Sequence, residues 1–465
     1  MSEKPNILVI FPDQQRWDSL GTYGNPMDLT PNIDTIAEEG VKFEKSFTTQ
    51  PICGPARSSL QTGLYPENAG VHINGLPLSI KNKTIPQHLA DAGYDLGYIG
   101  KWHLSGTATE PVPLELRGGW NQFWRGIDLL EFSSQPYSGY LWDEEGNKVT
   151  FQDQYRVDAL TDMAIDYIKN RSSDPFFCFL SYVEPHHQNN MNRFVAPKGY
   201  SEKFKNPWIP DDLKGLPGNW FSELPDYYGM VKRIDENVGR LYNELDQEGI
   251  LENTLVVYFS DHGCHFKTRN TEYKRSCHES SIRVPLILRG PGVDKTSVVS
   301  ELVSLIDLPP TLLEIAGEPI PKYMEGRSLK ALLDGTTDDW GNEVFVQLSE
   351  YQCGRSIRTD RWKYCVIDPD PNPYQGEGKS LLHPNKKKVK KDTEPLISPN
   401  TKQNSEKYVE FQLYDLKSDP SEKINLAGRP EYREIADKLK SRLIQKINRV
   451  EGYEPEIKNA KFFHV

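Results

Sequence analysis

Residues 5–14 read Pro5-Asn6-Ile7-Leu8-Val9-Ile10-Phe11-Pro12-Asp13-Gln14. Between its two prolines the run is apolar without alternation. That predicts a strand buried on both faces, as at the centre of a parallel sheet. An acid and an amide follow it immediately. Similar apolar runs recur at 96–99, 176–183, 255–259 and 284–288. Helical patterns lie between them. Over 156–170, Val157, Leu160, Met163, Ala164, Tyr167 and Ile168 fall on one helical face, and 228–245 reads the same way. Strand alternating with helix predicts an α/β fold with a large, mostly parallel sheet flanked by helices.

The pattern changes after about residue 345. Short β-like pieces follow at 344–348, 362–367 and 411–414, with a polar loop over 368–408 and a helix over 432–450. This predicts a larger domain over 1–345 that carries the chemistry, and a smaller C-terminal α+β domain over 346–465 with a short antiparallel sheet.

The chain has 465 residues and a formal net charge of −11. A nucleic-acid binder carries a basic field, which this composition excludes. An anionic substrate would therefore need a local positive pocket inside a negative envelope. No run of about 18 apolar residues exists, so no membrane span is expected. Met1-Ser2-Glu3-Lys4 leads straight into the first strand with no signal peptide. That fits a cytoplasmic protein, or a secreted or periplasmic one whose leader was removed. Six cysteines stand at 53, 178, 264, 277, 353 and 365, without the spacing of a disulfide framework or a zinc site. Cys178 reads as core. By spacing, Cys264 with Cys277 and Cys353 with Cys365 are pairs left open.

In open parallel sheets, ligands bind beyond the carboxyl ends of the strands. Asp13 and Gln14 follow the first run, Lys101 and His103 the second, His186 and His187 the third, and Asp261 and His262 the fourth. Each alone reads as a turn or helix cap. Four such placements at one sheet edge read as a site. Asp13, Gln14 and Asp261 offer oxygen donors suited to calcium or magnesium. The imidazole of His262 brings in manganese or zinc.

Residues 53–57 read Cys-Gly-Pro-Ala-Arg, continued by Ser58-Ser59-Leu60-Gln61-Thr62-Gly63. This resembles the sulfatase motif C-x-P-x-R with its S-x-x-x-T-G continuation. Thr30-Pro31-Asn32-Ile33-Asp34, Gly100-Lys101-Trp102-His103, Ser260-Asp261-His262-Gly263, Lys274-Arg275 and Leu413-Tyr414-Asp415-Leu416 match further sulfatase segments in order along the chain. The resemblance implies an alkaline-phosphatase-like fold and hydrolysis of sulfate esters. It implies that a formylglycine-generating enzyme oxidises Cys53 to formylglycine (3-oxoalanine), the nucleophile. It further implies that Arg57 holds the formylglycine hydrate, and that Asp13, Gln14, Asp261 and His262 bind a divalent metal with residue 53. Calcium is the first choice, with magnesium or manganese as alternatives. Lys101 and Lys274 would contact the sulfate. His103 would act on the hydrate, and His186 would face the leaving group with His187 as its alternative. Asn74 would touch substrate.

Two positions depart from the common pattern: Gln14 stands where many sulfatases have a second Asp, and His262 where many have Asn. Both variants occur in phosphonate monoesterases, so a phosphate or phosphonate monoester hydrolase is the nearest rival reading. A non-catalytic sulfated-glycan-binding protein is the rival from another class. The expected substrate is a sulfated saccharide, by family habit, or another sulfate ester. Asn189, Asn190, Asn192 and Arg193 are candidates for sugar contacts, and the run Lys386-Lys387-Lys388-Val389-Lys390-Lys391 reads as a solvated loop or a polyanion subsite. His265 and His278 read as structural.

Overall fold

Strand Asn6–Phe11 runs between two parallel neighbours, Phe176–Ser181 and Thr254–Phe259. Its side chains divide between two cores. Leu8 and Ile10 join a cluster with residues of helices Arg156–Asn170 and Trp220–Gln247. Ile7, Val9 and Phe11 join a second cluster on the opposite face, with Leu60, Leu89 and Leu312. Helices therefore cover both faces of the sheet, which is why the run shows no alternation. The computed structural model of the chain describes residues 4–461 except positions 80, 82, 172–174, 294, 295, 338 and 371–401.

The parallel centre continues through Asp95–Lys101 to Phe123–Ile127. Antiparallel pairs enter at both margins of this twelve-stranded sheet, although Ser297–Ser304 runs parallel to Val41–Phe47 at one of them. On one side Leu286–Arg289 runs against Thr254–Phe259 and against Val41–Phe47. On the other, Ser138–Trp142 runs against Phe123–Ile127. The apolar run at 284–288 is split at Pro285 into Arg283–Val284 and Leu286–Arg289. It is buried as expected but antiparallel to its neighbour in the sheet, because burial on both faces does not fix strand direction.

A second, five-stranded sheet begins at Glu343–Leu348. Strands Gly354–Thr359, Trp362–Ile367 and Lys407–Asp415 follow in antiparallel order, and Glu456–Lys458 adds a parallel edge. Helix Arg433–Glu451 packs on it through Ala436, Leu439, Leu443 and Ile447. Most of the polar loop expected over 368–408, with Lys386 to Lys391, lies outside the described residues.

All six cysteines are free and buried. The two pairings open by spacing are not formed. Cys264 packs in the large cluster beside the Trp220–Gln247 helix, whereas Cys277 lies with Leu348 and Cys365 in a small cluster of its own. Cys353 belongs to the core of the second sheet. Among the described residues, no helix is long and apolar enough to cross a membrane.

Candidate active site

Cys53 is the first residue of helix Cys53–Thr62, every residue of which is buried. A polar helix tolerates this because its hydroxyls bond inward: Ser58 donates to Pro55 O, Thr62 to Ser58 O, and Ser59 accepts from Thr49. Gly63 closes it in the left-handed region, at φ 71°. The helix thus delivers Cys53 at its positive end, beyond the carboxyl ends of the parallel strands.

Four groups meet the Cys53 sulfur. Lys274 Nζ lies 2.8 Å from Sγ, His262 Nε2 3.3 Å, Asp13 Oδ1 3.5 Å and Lys101 Nζ 3.8 Å. Burial and Asp13 push this thiol upward, but Lys101, Lys274 and His262 outweigh them and hold it at about 6. Burial would also raise Asp13. Lys101, His186, Lys274 and Arg57 overcome it and hold that carboxyl well below the usual carboxylate range.

Arg57, one turn into the helix, donates to Asp13 Oδ2 at 3.1 Å, to Lys101 O at 2.7 Å and to Ser181 Oγ at 2.8 Å. It therefore ties the helix to three neighbouring strand ends. The close approach at that edge depends on Gly100, whose φ is 108°. A Cβ there would stand 1.9 Å from Ser181 O.

Asp13, Cys53, Asp261 and His262 each offer a donor atom, and these atoms lie within 4.8 Å of one another. Gln14, held at φ 67°, donates its backbone N–H to Asp261 Oδ1. Its side-chain Oε1 is buried with no hydrogen-bond partner among the described residues, as is Asp261 Oδ2. Asp261 Oδ2 has Arg57 Nη2 at 3.5 Å as an ion-pair partner, and the unpartnered Gln14 Oε1 beside two carboxylates, an imidazole and a sulfur fits a divalent cation.

A cleft enclosing about 840 Å³, part of it open to solvent, leads to Cys53. Asn74, His103, His186, His187, Asn189 and Lys274 line it, so the structure brings the sequence-derived candidates together. Lys101, fully buried behind Cys53, stands between Asp13 and Glu131. Burial, reinforced by Lys101, lowers His103 to about 4. Burial, reinforced by Lys274, lowers His187 to about 3 and drives His186 well below its ordinary value. His265 and His278 are buried and bond Lys274 O and the Ser276 and Tyr414 hydroxyls, consistent with structural roles.

Sequence reasoning missed Glu131, Glu272 and Arg275 as cleft residues. Glu131 has the clearest signal in hindsight: it follows strand Phe123–Ile127, a fifth parallel strand with the same polarity. Arg125 interrupts that apolar run, which hid it. Arg275 is aimed by Glu350, a residue more than seventy positions away.

The family model described as Sulfatase matches residues 5–318, and that described as N-sulphoglucosamine sulphohydrolase, C-terminal, matches residues 271–372. The chain belongs to the sulfatase family. This sulfatase is an enzyme of sulfuric ester hydrolysis. It is 28% identical to an ulvan-active sulfatase of Formosa agariphila, over 96% of this chain and 81% of the relative. It is 25% identical to an N-acetylglucosamine-6-O-sulfatase of Bacteroides thetaiotaomicron, over 99% and 89%. The same fold appears in a protein solved in complex with its substrate D-glucosamine-2-N,6-O-disulfate, with a TM-score of 0.76 at 24% identity, covering 97% of this chain and 99% of that one. It also appears in the phosphonate monoester hydrolase of Agrobacterium radiobacter, with a TM-score of 0.64 at 21% identity and 95% coverage of both chains. The sulfatase therefore has the expected alkaline-phosphatase-like architecture, a large mixed sheet flanked by helices with a separate small sheet.

Proposed function

We propose that this sulfatase removes sulfate from a sulfated saccharide, with Cys53 converted to formylglycine by a formylglycine-generating enzyme and a divalent cation beside it. The observation that carries the reading is the Cys53 sulfur itself, buried at a helix N-terminus with Lys274, Lys101, Asp13 and His262 around it. Asp13, Gln14, Asp261 and His262 would hold the cation with residue 53, calcium first and magnesium or manganese as alternatives. Bound there, it would polarise the ester oxygens and lower the pKa of a hydroxyl. The hydrated aldehyde would supply the nucleophile.

The remaining work belongs to the chain's own side chains. Lys101 and Lys274 bind the tetrahedral anion with charges fixed in a desolvated pocket, where they count most. Arg57, itself fixed by Asp13 and two strand ends, holds the formylglycine hydrate. His103 takes a proton at the helix end, where burial keeps its ring neutral and able to accept one. His186 faces the leaving oxygen. Its ring is neutral in the free enzyme, and an arriving sulfate favours its charged form, so the proton donor is armed by the substrate. Asn74 and His187, on the cleft wall, contact the substrate.

The saccharide is supported by the relatives named for ulvan and for N-acetylglucosamine-6-O-sulfatase activity, and by the Asn74, Asn189 and Arg275 side chains that line the cleft. We read residues 1–345 as the catalytic part and 346–465 as a smaller subdomain. Gln14 and His262 favour a second reading, phosphate or phosphonate monoester hydrolysis.

The test pairs two measurements. Intact mass of the peptide carrying residue 53 reports conversion of thiol to aldehyde; an unconverted, inactive chain would support the glycan-binding alternative. Release from sulfate and phosphate esters of one alcohol then separates the two chemistries, with sulfate preferred by at least about tenfold, or 1.4 kcal/mol in transition-state binding. Cys53→Ala is expected to abolish turnover while leaving the thermal midpoint nearly unchanged. A Cys53→Ala protein that still turns over sinks the mechanism.

A further inference from the structure

A second cleft, remote from Cys53 in the fold, lies between the two sheets. It encloses about 910 Å³, again partly open to solvent. One wall is helix Arg433–Glu451, which turns Arg442, Lys446 and Arg449 toward it at i, i+4 and i+7, a single helical face. Arg327 stands on the opposite wall.

The carboxylates on these walls already have donors. Glu343 pairs with Arg442 at 2.6 Å. Asp307 accepts from the backbone N–H groups of Ser304 and Arg327, both at 2.9 Å. Glu325 accepts from Tyr65 N–H and from Asn68, both at 2.6 Å. Lys446 and Arg449 have no hydrogen bond or ion pair among the described residues. Lys446 is partly buried; burial and Arg449 disfavour its charge more than Glu343 and Asp307 favour it through space. The cleft is lined by four cations, Arg327, Arg442, Lys446 and the exposed Arg449, against three carboxylates, Asp307, Glu325 and Glu343, and this excess of positive charge, with Lys446 and Arg449 not hydrogen-bonded to any of the acids, suits an oxyanion. The net charge of −11 makes this concentration local rather than a reflection of composition.

We infer that this cleft is a second, non-catalytic site that holds a sulfate group of a sulfated saccharide chain through Lys446 and Arg449. The saccharide part rests on the proposed function above; the oxyanion part rests on the cleft alone. A polymer held here while another of its sulfate groups enters the Cys53 cleft would be retained between turnovers.

Acetylation of lysines in the full-length enzyme, read by peptide mass spectrometry, tests it without using activity. Lys438 on the same helix, exposed and paired with Glu434, is the internal control. Sodium sulfate, against sodium chloride at equal ionic strength, should slow Lys446 acetylation about threefold at twice the dissociation constant and leave Lys438 unchanged. Arg449→Gln should remove the protection. A sulfated tetrasaccharide should protect at lower concentration than sulfate, and its unsulfated counterpart should not protect. Equal slowing at both lysines, or protection that survives Arg449→Gln, overturns the site. Protection by sulfate or phosphate but not by the sulfated tetrasaccharide overturns the saccharide ligand. Sulfate release from the sulfated tetrasaccharide and from a small aryl sulfate is measured beside it: release from neither sinks the proposed function, while the labelling result stands by itself. Lys446→Gln/Arg449→Gln is expected to leave that small-ester turnover unchanged.

Discussion

Arg16 carries more of the active-site loop than its position suggests. Its buried guanidinium binds both oxygens of Asp18 and both oxygens of Asp212, and donates to Cys264 O at 2.7 Å. Its own N–H donates to the Tyr227 hydroxyl at 2.8 Å. These bonds hold the turn that presents Asp13 and Gln14 beside Asp261. Arg16→Met would leave two carboxylates facing each other without a cation, at a cost of about 3–5 kcal/mol. Urea unfolding measures it, and a loss under about 1 kcal/mol would mean that solvent or rearrangement compensates. Lys101 is the equivalent case inside the cleft, since it separates Asp13 from Glu131 at 2.9 and 2.8 Å. Lys101→Met is expected to lower kcat by about two to three orders of magnitude, in the range seen when a preorganised charge is removed from a transition state. Sulfate release under saturating substrate checks it.

At the scale of elements, helix Pro31–Glu38 shows how a motif in sequence becomes a packing joint. Pro31 starts the helix, and no side chain of its own segment caps it. The cap comes from the middle of helix Trp220–Gln247: Asp235 accepts from Ile33 N–H and from the Asn32 amide, both at 2.9 Å. Gly239, one turn on, leaves room for Asn32, since a Cβ there would lie 2.5 Å from its Oδ1. Burial pushes Asp235 up to about 6. The folded state therefore holds a proton that the unfolded state has lost between the ordinary carboxyl value and about 6. Stability from this group is greatest below that window and falls as pH rises through it. The advantage of the wild type over Asp235→Asn should shrink between about pH 4 and pH 7, by thermal unfolding at fixed ionic strength. An advantage that grows with pH would show that the charged carboxylate is the better cap.

At the scale of the whole molecule, the small sheet reaches into the site. Glu350, just past strand Glu343–Leu348, accepts from Asn74 N–H at 3.0 Å and pairs closely with Arg275. Asn74 and Arg275 both line the Cys53 cleft. Arg275 is held at φ 66°, a conformation that a bulky side chain adopts only under constraint. Glu350→Gln should raise KM for a sulfate ester about five- to tenfold and leave kcat within about twofold, since it loosens cleft walls rather than the groups around residue 53. A fall in kcat with unchanged KM would place Glu350 in the chemistry instead.

The chain by itself determined the parallel centre of the sheet, because strands buried on both faces need unbroken apolar runs and each run ends in the polar groups it delivers. It also determined the residues around Cys53, because the family's short segments carry them in fixed order. Tertiary structure alone decided the antiparallel pairs at the sheet margins, the free cysteines and the engagement of Glu131, Arg275 and Glu350. The physical reason is reach. Strand direction at a margin, an ion pair across more than seventy residues and a cap borrowed from another helix depend on which surfaces pack together, and no local pattern of residue types encodes that contact.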